Sequence, residues 1–321
     1  MARKDSKQRQ TQNAYERAGI ARVQRYHERS NHSAGNYAYD GFKANRYYTS
    51  DRFIELDANF ARPDGKPLKG FGLEIELTSN SINNTTVLAE ILDKVVFSHF
   101  PAYLFKQQSD ASLGGTAASE CITQVMTREF IRNHYPEFKL MYDVYFPNLG
   151  IKSDLSCGMH CNISNAVFGS NQATIDTCIR KLYYIINKHY DRMCIMLHRD
   201  RSHTAYAGRM SYSMDYAKTF DLASQYSSHG VSFNLGHYGE GRIEVRLVGN
   251  QPTYAAFRNT METIFFLCDR VKKLSWSDCD DFAKIWQGCN QHVYDRLTLC
   301  RDLPADQLQA VRSTVIPVDF G

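Results

Sequence analysis

The chain has 321 residues, 43% of them hydrophobic and 22% charged, which is enough apolar material for a sizeable core and excludes a disordered or fibrous protein. No stretch approaches the roughly 18 apolar residues that cross a bilayer, and no apolar run follows the charged start, so neither a membrane span nor a signal peptide is expected. Nine cysteines, an odd number at irregular spacing, exclude a disulfide framework and predict a reducing, cytoplasmic setting.

The net charge of +4 is unevenly spread. Residues 1–47 hold ten Lys or Arg against four Asp or Glu, so this segment is +6 and the remainder is −2. Little apolar periodicity runs through it. It reads as a basic N-terminal extension, either solvated and partly helical or an arm that touches nucleic acid or another acidic surface. Residues 48–321 then form one domain.

That domain opens with Arg52-Phe53-Ile54-Glu55-Leu56 and the turn Pro63-Asp64-Gly65-Lys66-Pro67. Phe71-Gly72-Leu73-Glu74-Ile75-Glu76-Leu77-Thr78 alternates with period two, so it is a strand with one apolar and one acidic face. Val87, Leu88, Ile91, Leu92 and Val95 fall at helical spacing over 86–97, with Asn84 or Thr85 as cap. Residues 103–126 read as two short strands joined at Gly114-Gly115. A long amphipathic helix is expected over 172–197, starting at Ser170 or Asn171, and a second over 253–274. Short helices fill 278–313. Strands are expected at 70–78, 103–108, 120–126, 158–164, 231–235 and 242–248. The irregular alternation, without a βαβ rhythm, predicts an α+β fold with helices covering one face of a largely antiparallel sheet.

Three strands repeat one design. Beside Glu74 and Glu76 stand His160 and Asn162, opposite Met159, Cys161 and Ile163, and Glu244 and Arg246, opposite Ile243, Val245 and Leu247. If the apolar faces meet the helices, the polar side chains share one surface. Carboxylates two apart on a strand lie roughly 6.5 to 7 Å from each other, too far to share a proton and suited to flanking bound cations. Crowded carboxylates repel unless positive charge sits among them, and hard oxygen ligands choose Mg2+ or Mn2+, which couple carboxylates to phosphates. The plain alternative is an antiparallel sheet with one wet face.

The order Gly-Leu-Glu-Ile-Glu, Asp110-Ala111-Ser112 with Glu120 behind it, Cys157-Gly158-Met159-His160, Asn234 and Ile243-Glu244-Val245-Arg246 resembles that of the amidoligase family, relatives of glutamate–cysteine ligase and glutamine synthetase. The resemblance spans about residues 70–275. It implies a glutamine-synthetase-like catalytic domain: a curved sheet forming a half-open funnel, with helices on its outer face. It also implies ATP-dependent joining of a carboxylate substrate to an amine substrate through an acyl phosphate, a reaction that rests on positioning and charge neutralisation. By the match, Glu74, Glu76, Glu120 and Glu244 hold Mg2+ (or Mn2+) against the phosphates of ATP, and His160 is a metal or phosphate contact. Arg246 neutralises phosphoryl oxygens, Asp110 positions or deprotonates the amine, and Asn234 and Arg209 bind substrate carboxylate or phosphate. The family usually has a second His where this chain has Asn162, a poorer metal ligand. The basic extension has no counterpart in the family; it would suit a macromolecular acceptor. The reading from another class is a non-catalytic protein that keeps the fold and uses the extension as a nucleic-acid or assembly contact.

Other motifs carry less. His198-Arg199-Asp200 and Asp319-Phe320-Gly321 look like protein-kinase signatures, but Ala205 stands where a kinase has Asn and no glycine-rich loop precedes them. A P-loop is missing. Cys157, His160 and Cys161 do not make a zinc site, because strand neighbours point to opposite faces. A cysteine nucleophile paired with His160 or His203 has no supporting signature.

Overall fold

The computed structural model describes residues 45–317, apart from 58, 83, 109–112, 114, 115, 204 and 226–229. The basic stretch before residue 45, the Gly114-Gly115 turn and Asp110 therefore lie outside the described residues.

Ten strands join in one sheet: β1 (Arg46–Tyr48), β2 (Phe53–Glu55), β3 (Phe71–Ser79), β4 (Phe105–Gln108), β5 (Ala117–Thr123), β6 (Val125–Met126), β7 (Ile151–Lys152), β8 (Met159–Ser164), β9 (Phe233–Asn234) and β10 (Arg242–Val245). The strand order is β2-β1-β6-β3-β8-β10-β9, with β5 and β7 also on β3 and β4 on β5. Every pairing among them is antiparallel except that of β1 with β6. β3 is the spine, because its nine residues pair with four neighbours in turn. The sheet curls into part of a barrel, so the fold is α+β with a mostly antiparallel sheet, as the sequence predicts. β1 already begins at Arg46, inside the stretch read as extension, so the folded body starts no later than that residue.

The apolar sides of the central strands turn inward together. Leu73, Ile75, Met159, Cys161, Ile163, Ile243, Val245 and Leu247 are all buried in one core. Two long helices cover them, Gln172–Lys188 and Tyr254–Arg270, capped by the side chains of Asn171 and Thr253. Ile163 and Val245 of the sheet meet Leu182, Ile186, Ile264 and Cys268 of these helices around a small cavity. The helix expected over 172–197 breaks at His189 and resumes as Tyr190–Met196. The helix expected over 86–97 is regular only over Thr85–Ile91; a π turn, Leu92–Val96, and a 3-10 turn follow. A helical run over 128–149 and the helix Met214–Thr219 had no forecast. All nine cysteines are free and buried. Among the described residues no helix is long and apolar enough to cross a membrane.

A close backbone contact fixes the chain beyond β10. His198 adopts a left-handed conformation with φ +58°, and a Cβ at Gly249 would lie 2.0 Å from its carbonyl oxygen. Only glycine fits against that carbonyl, since neither backbone can yield cheaply. Gly249→Ala should therefore lower stability by about 3 kcal/mol, read as the midpoint shift of urea unfolding. A change under roughly 0.5 kcal/mol would show that the loop relaxes freely.

Candidate metal and phosphate site

The register of the sheet assembles the polar face. Antiparallel pairing sets Glu76 opposite Glu120, Glu74 opposite His160, and Glu244 opposite both Asn162 and Asn234. Two carboxylates directly opposed across a ladder repel each other, so a sheet with no use for them would not keep them there. Glu76, Glu120, His160, Asn234, Glu244 and Arg246 are buried; Glu74 and Asn162 are half-buried.

His160 stands at the centre. Its Nδ1 lies 3.1 Å from Glu74 Oε2, 3.4 Å from Glu244 Oε1 and 3.4 Å from Arg246 Nη1, and its Nε2 lies 3.6 Å from Glu76 Oε1. Burial works to lower the imidazole pKa, but the hydrogen bond to Glu74 and the charges of Glu76 and Glu244 outweigh it, and the pKa is raised. The protonated ring is a donor to carboxylates; only the neutral ring offers a lone pair to a metal. Burial likewise works to raise the Glu74 pKa, but the bond and charge of His160 and a 2.7 Å bond from Asn162 Nδ2 bring it below the usual carboxylate value.

Glu120 behaves oppositely. Burial, then the charge of Glu74, push its pKa from 4.5 up to about 7, against a hydrogen bond from Gln108. One ligand atom from each of Glu74, Glu120 and His160 lies within 4.8 Å of the others, so these three can close on one cation.

A pH dependence follows with a defined sign. The folded protein holds the Glu120 proton more tightly than the unfolded chain does. That contribution to stability is complete below pH 4.5 and is lost as pH rises to about 7. A metal must displace the same proton. The raised His160 proton must leave as well, so Mn2+ affinity should fall at least about tenfold per pH unit below 7, with proton release on binding. Isothermal titration in buffers of different ionisation enthalpy checks this; a flat profile from pH 5.5 to 8 would remove Glu120 from the ligand set.

The other end of the face is built differently. Glu244 Oε1 accepts from Arg246 Nη1 at 2.5 Å, and its Oε2 accepts from Asn234 Nδ2 at 2.7 Å. The backbone N–H groups of Arg246 and Leu247 both donate to Ser232 O at 3.0 Å, the pattern of a β-bulge, which sets the direction of the Arg246 side chain. Arg246 Nε is buried with no hydrogen-bond partner among the described residues. A buried, unpartnered guanidinium N–H is a position for an anionic oxygen.

Sequence reasoning missed four contributors. Arg199 donates to the carbonyls of Arg246, at 3.0 Å, and Val248, at 2.5 Å, and so braces the segment that carries Arg246. Gly158 donates its N–H to Glu76; a Cβ there would lie 3.0 Å from Arg199 Nη2 and 3.3 Å from Glu76 Oε2. Arg242 donates to Asn162 Oδ1, and Gln108 to Glu120. Arg242 and Gln108 sit at in-face positions of strands already expected, so period and register alone would have found them. Arg199 lay in a motif set aside as kinase-like, and its acceptors are backbone atoms that no sequence pattern marks.

Arg209 is a correction. It does not join this face: its guanidinium donates to the carbonyls of Asn187, at 2.8 Å, and Lys188, at 3.1 Å, and stacks on Tyr212. It caps the end of the first long helix, where a cation suits the helix dipole. Cys161 is buried in the core on the face opposite His160, as strand alternation requires. No protein-family model matches the chain, and no curated protein matches it.

Proposed function

We propose that this chain is an ATP- and Mg2+-dependent carboxylate–amine ligase on a glutamine-synthetase-like sheet, the reading that the resemblance to amidoligases implies. The observation that carries it is the meeting of Glu74, Glu76, Glu120, His160 and Glu244 on the face of the sheet turned away from the helices, with Arg246 among them. The residues fit the cofactor. A carboxylate-rich donor set with one imidazole suits Mg2+ or Mn2+. The unpartnered Nε of Arg246 fits a phosphoryl or carboxylate oxygen.

Glu74, Glu120 and His160 would hold the cation, with Glu76 beside them. When bound, Mg2+ neutralises and orients the phosphates of ATP. The protein's own part is positional. Gly158 and Gln108 fix the carboxylates of Glu76 and Glu120, Asn162 fixes Glu74, and Arg199 with the bulge at Ser232 aims Arg246 at the transferred group. Burial of these groups strengthens each charge interaction made there.

The test is an ADP-release screen over mixed carboxylate and amine pools, with Mg2+ present or chelated. Release that needs Mg2+, a carboxylate and an amine together supports the proposal. Failure of the protein to bind Mg·ATP, together with no release on any pool, ends it.

A further inference from the structure

We infer that the metal-binding face is divided, and that its β10 side carries fixed cations of its own and takes no metal ion. Glu244 is then a positioning residue for Arg246 and not a ligand. This rests on the proposed function and narrows it.

Two side-chain amides carry the argument, because independent hydrogen bonds fix their orientation. Asn234 Oδ1 accepts from Gly236 N at 2.9 Å, so its N–H2 group is the end that faces Glu244. Asn162 Oδ1 accepts from Arg242, so its N–H2 group is the end that faces Glu74. An amide serves a metal through its oxygen, and here each oxygen accepts from another group while the N–H2 end is the one turned to the carboxylate. A divalent ion beside Glu244 would meet an amide N–H2 and the guanidinium of Arg246 at 2.5 Å from the same carboxylate. Those groups repel a cation and already neutralise Glu244.

The β3–β5 side is the reverse. Glu76 and Glu120 oppose each other across the ladder, and their hydrogen bonds come from uncharged donors, Gly158 N and the Gln108 amide. Negative charge is in excess there, and two members of the three-residue ligand set, Glu74 and Glu120, lie there, with His160 reaching them from β8. Arg242 completes the division. Through Asn162 it brings positive charge toward Glu74, which offsets demand for a second cation at that end.

The experiment is Mn2+ titration of the full chain by electron paramagnetic resonance, for wild type, Glu244→Gln, Glu120→Gln and Arg242→Ala, with a thermal melt of each. Loss of a ligand should cost more than loss of a ligand's neighbour, so Glu120→Gln should weaken Mn2+ about a hundredfold or more, while Glu244→Gln, whose carboxylate meets the ligand His160 and not the ion, should cost at least about tenfold less. Arg242→Ala should tighten Mn2+ binding about threefold or more, because the charge relayed to Glu74 is gone. Glu244→Gln weakening Mn2+ as much as Glu120→Gln overturns the inference, and so does Arg242→Ala with unchanged or weaker binding. If Glu244→Gln does not fold, Arg242→Ala decides, since that side chain is 36% exposed at the rim. Wild type that binds no Mn2+ sinks the proposed metal site itself. In that case binding that emerges in Arg242→Ala keeps the division, and none ends it.

Discussion

Glu74→Gln should weaken Mn2+ about a hundredfold or more and reduce Mg2+-dependent ADP release to background. Loss of a partner that merely orients a ligand already costs roughly ten- to a hundredfold in metal affinity, and Glu74 is placed to be a direct ligand. It is the residue that links the parts of the face: its carboxylate meets His160 at 3.1 Å and Asn162 at 2.7 Å, and it shares a ligand set with Glu120. Glutamine keeps the volume and one oxygen but loses the charge, so packing is little disturbed. A second consequence separates this variant from a misfolded one. Burial and the charge of Glu74 together hold the Glu120 pKa at about 7; without that charge it should move toward 4.5. The variant should thus show a melting temperature within a few degrees of wild type and a weaker fall of stability between pH 4.5 and 7. Retention of Mn2+ affinity within about threefold would place the cation somewhere else on the protein.

Much of this face is legible in the sequence because β3 alternates without a fault. Period two assigns Glu74 and Glu76 to one side and Leu73, Ile75 and Leu77 to the other, and the same rule sorts His160 from Cys161. Helix starts are equally legible where a cap stands before an apolar stripe, as at Asn84, Asn171 and Thr253. What period cannot supply is partnership. Arg209, Arg199 and Arg242 are alike as letters, yet one caps a helix, one braces the backbone that carries Arg246, and one orients Asn162. Each role depends on acceptors 20 to 80 residues away or on carbonyls exposed by a bulge. The run 128–149 was invisible for another reason. Short helices with Pro136 and Pro147 in their first turns are joined by the π turn Met141–Tyr145, which shifts the 3.6 period within one segment. Phe130, Phe138, Met141, Tyr142 and Phe146 are buried while Glu129, Asn133, Asp143 and Asn148 are exposed, so a polar side exists, but the breaks at the prolines and the π turn interrupt its period.

That missed region is anchored by a buried carboxylate on the second long helix, and Glu262→Ala should cost about 3 to 5 kcal/mol of stability. Glu262, on the helix Tyr254–Arg270, is 1% exposed and fills all four acceptor positions. Oε1 takes Arg132 Nε at 2.9 Å and Tyr135 OH at 2.8 Å; Oε2 takes Arg132 Nη2 at 2.6 Å and Asn290 Nδ2 at 2.9 Å. The cluster ties three stretches of chain that share no local sequence signal. Removing the acid leaves a half-buried guanidinium, a buried phenol and an amide facing a void, and each loses an acceptor that water cannot fully replace. Glu262→Gln should be milder, about 2 kcal/mol, since one oxygen remains but the new N–H2 group opposes two donors. Urea unfolding followed by circular dichroism measures both. Mn2+ affinity below the unfolding transition should stay at the wild-type value, because the cluster packs among the helices while the metal face turns away from them. A cost under 1 kcal/mol for the alanine variant would mean that Arg132 finds solvent easily, and that apolar packing alone holds the 128–149 run to the second long helix.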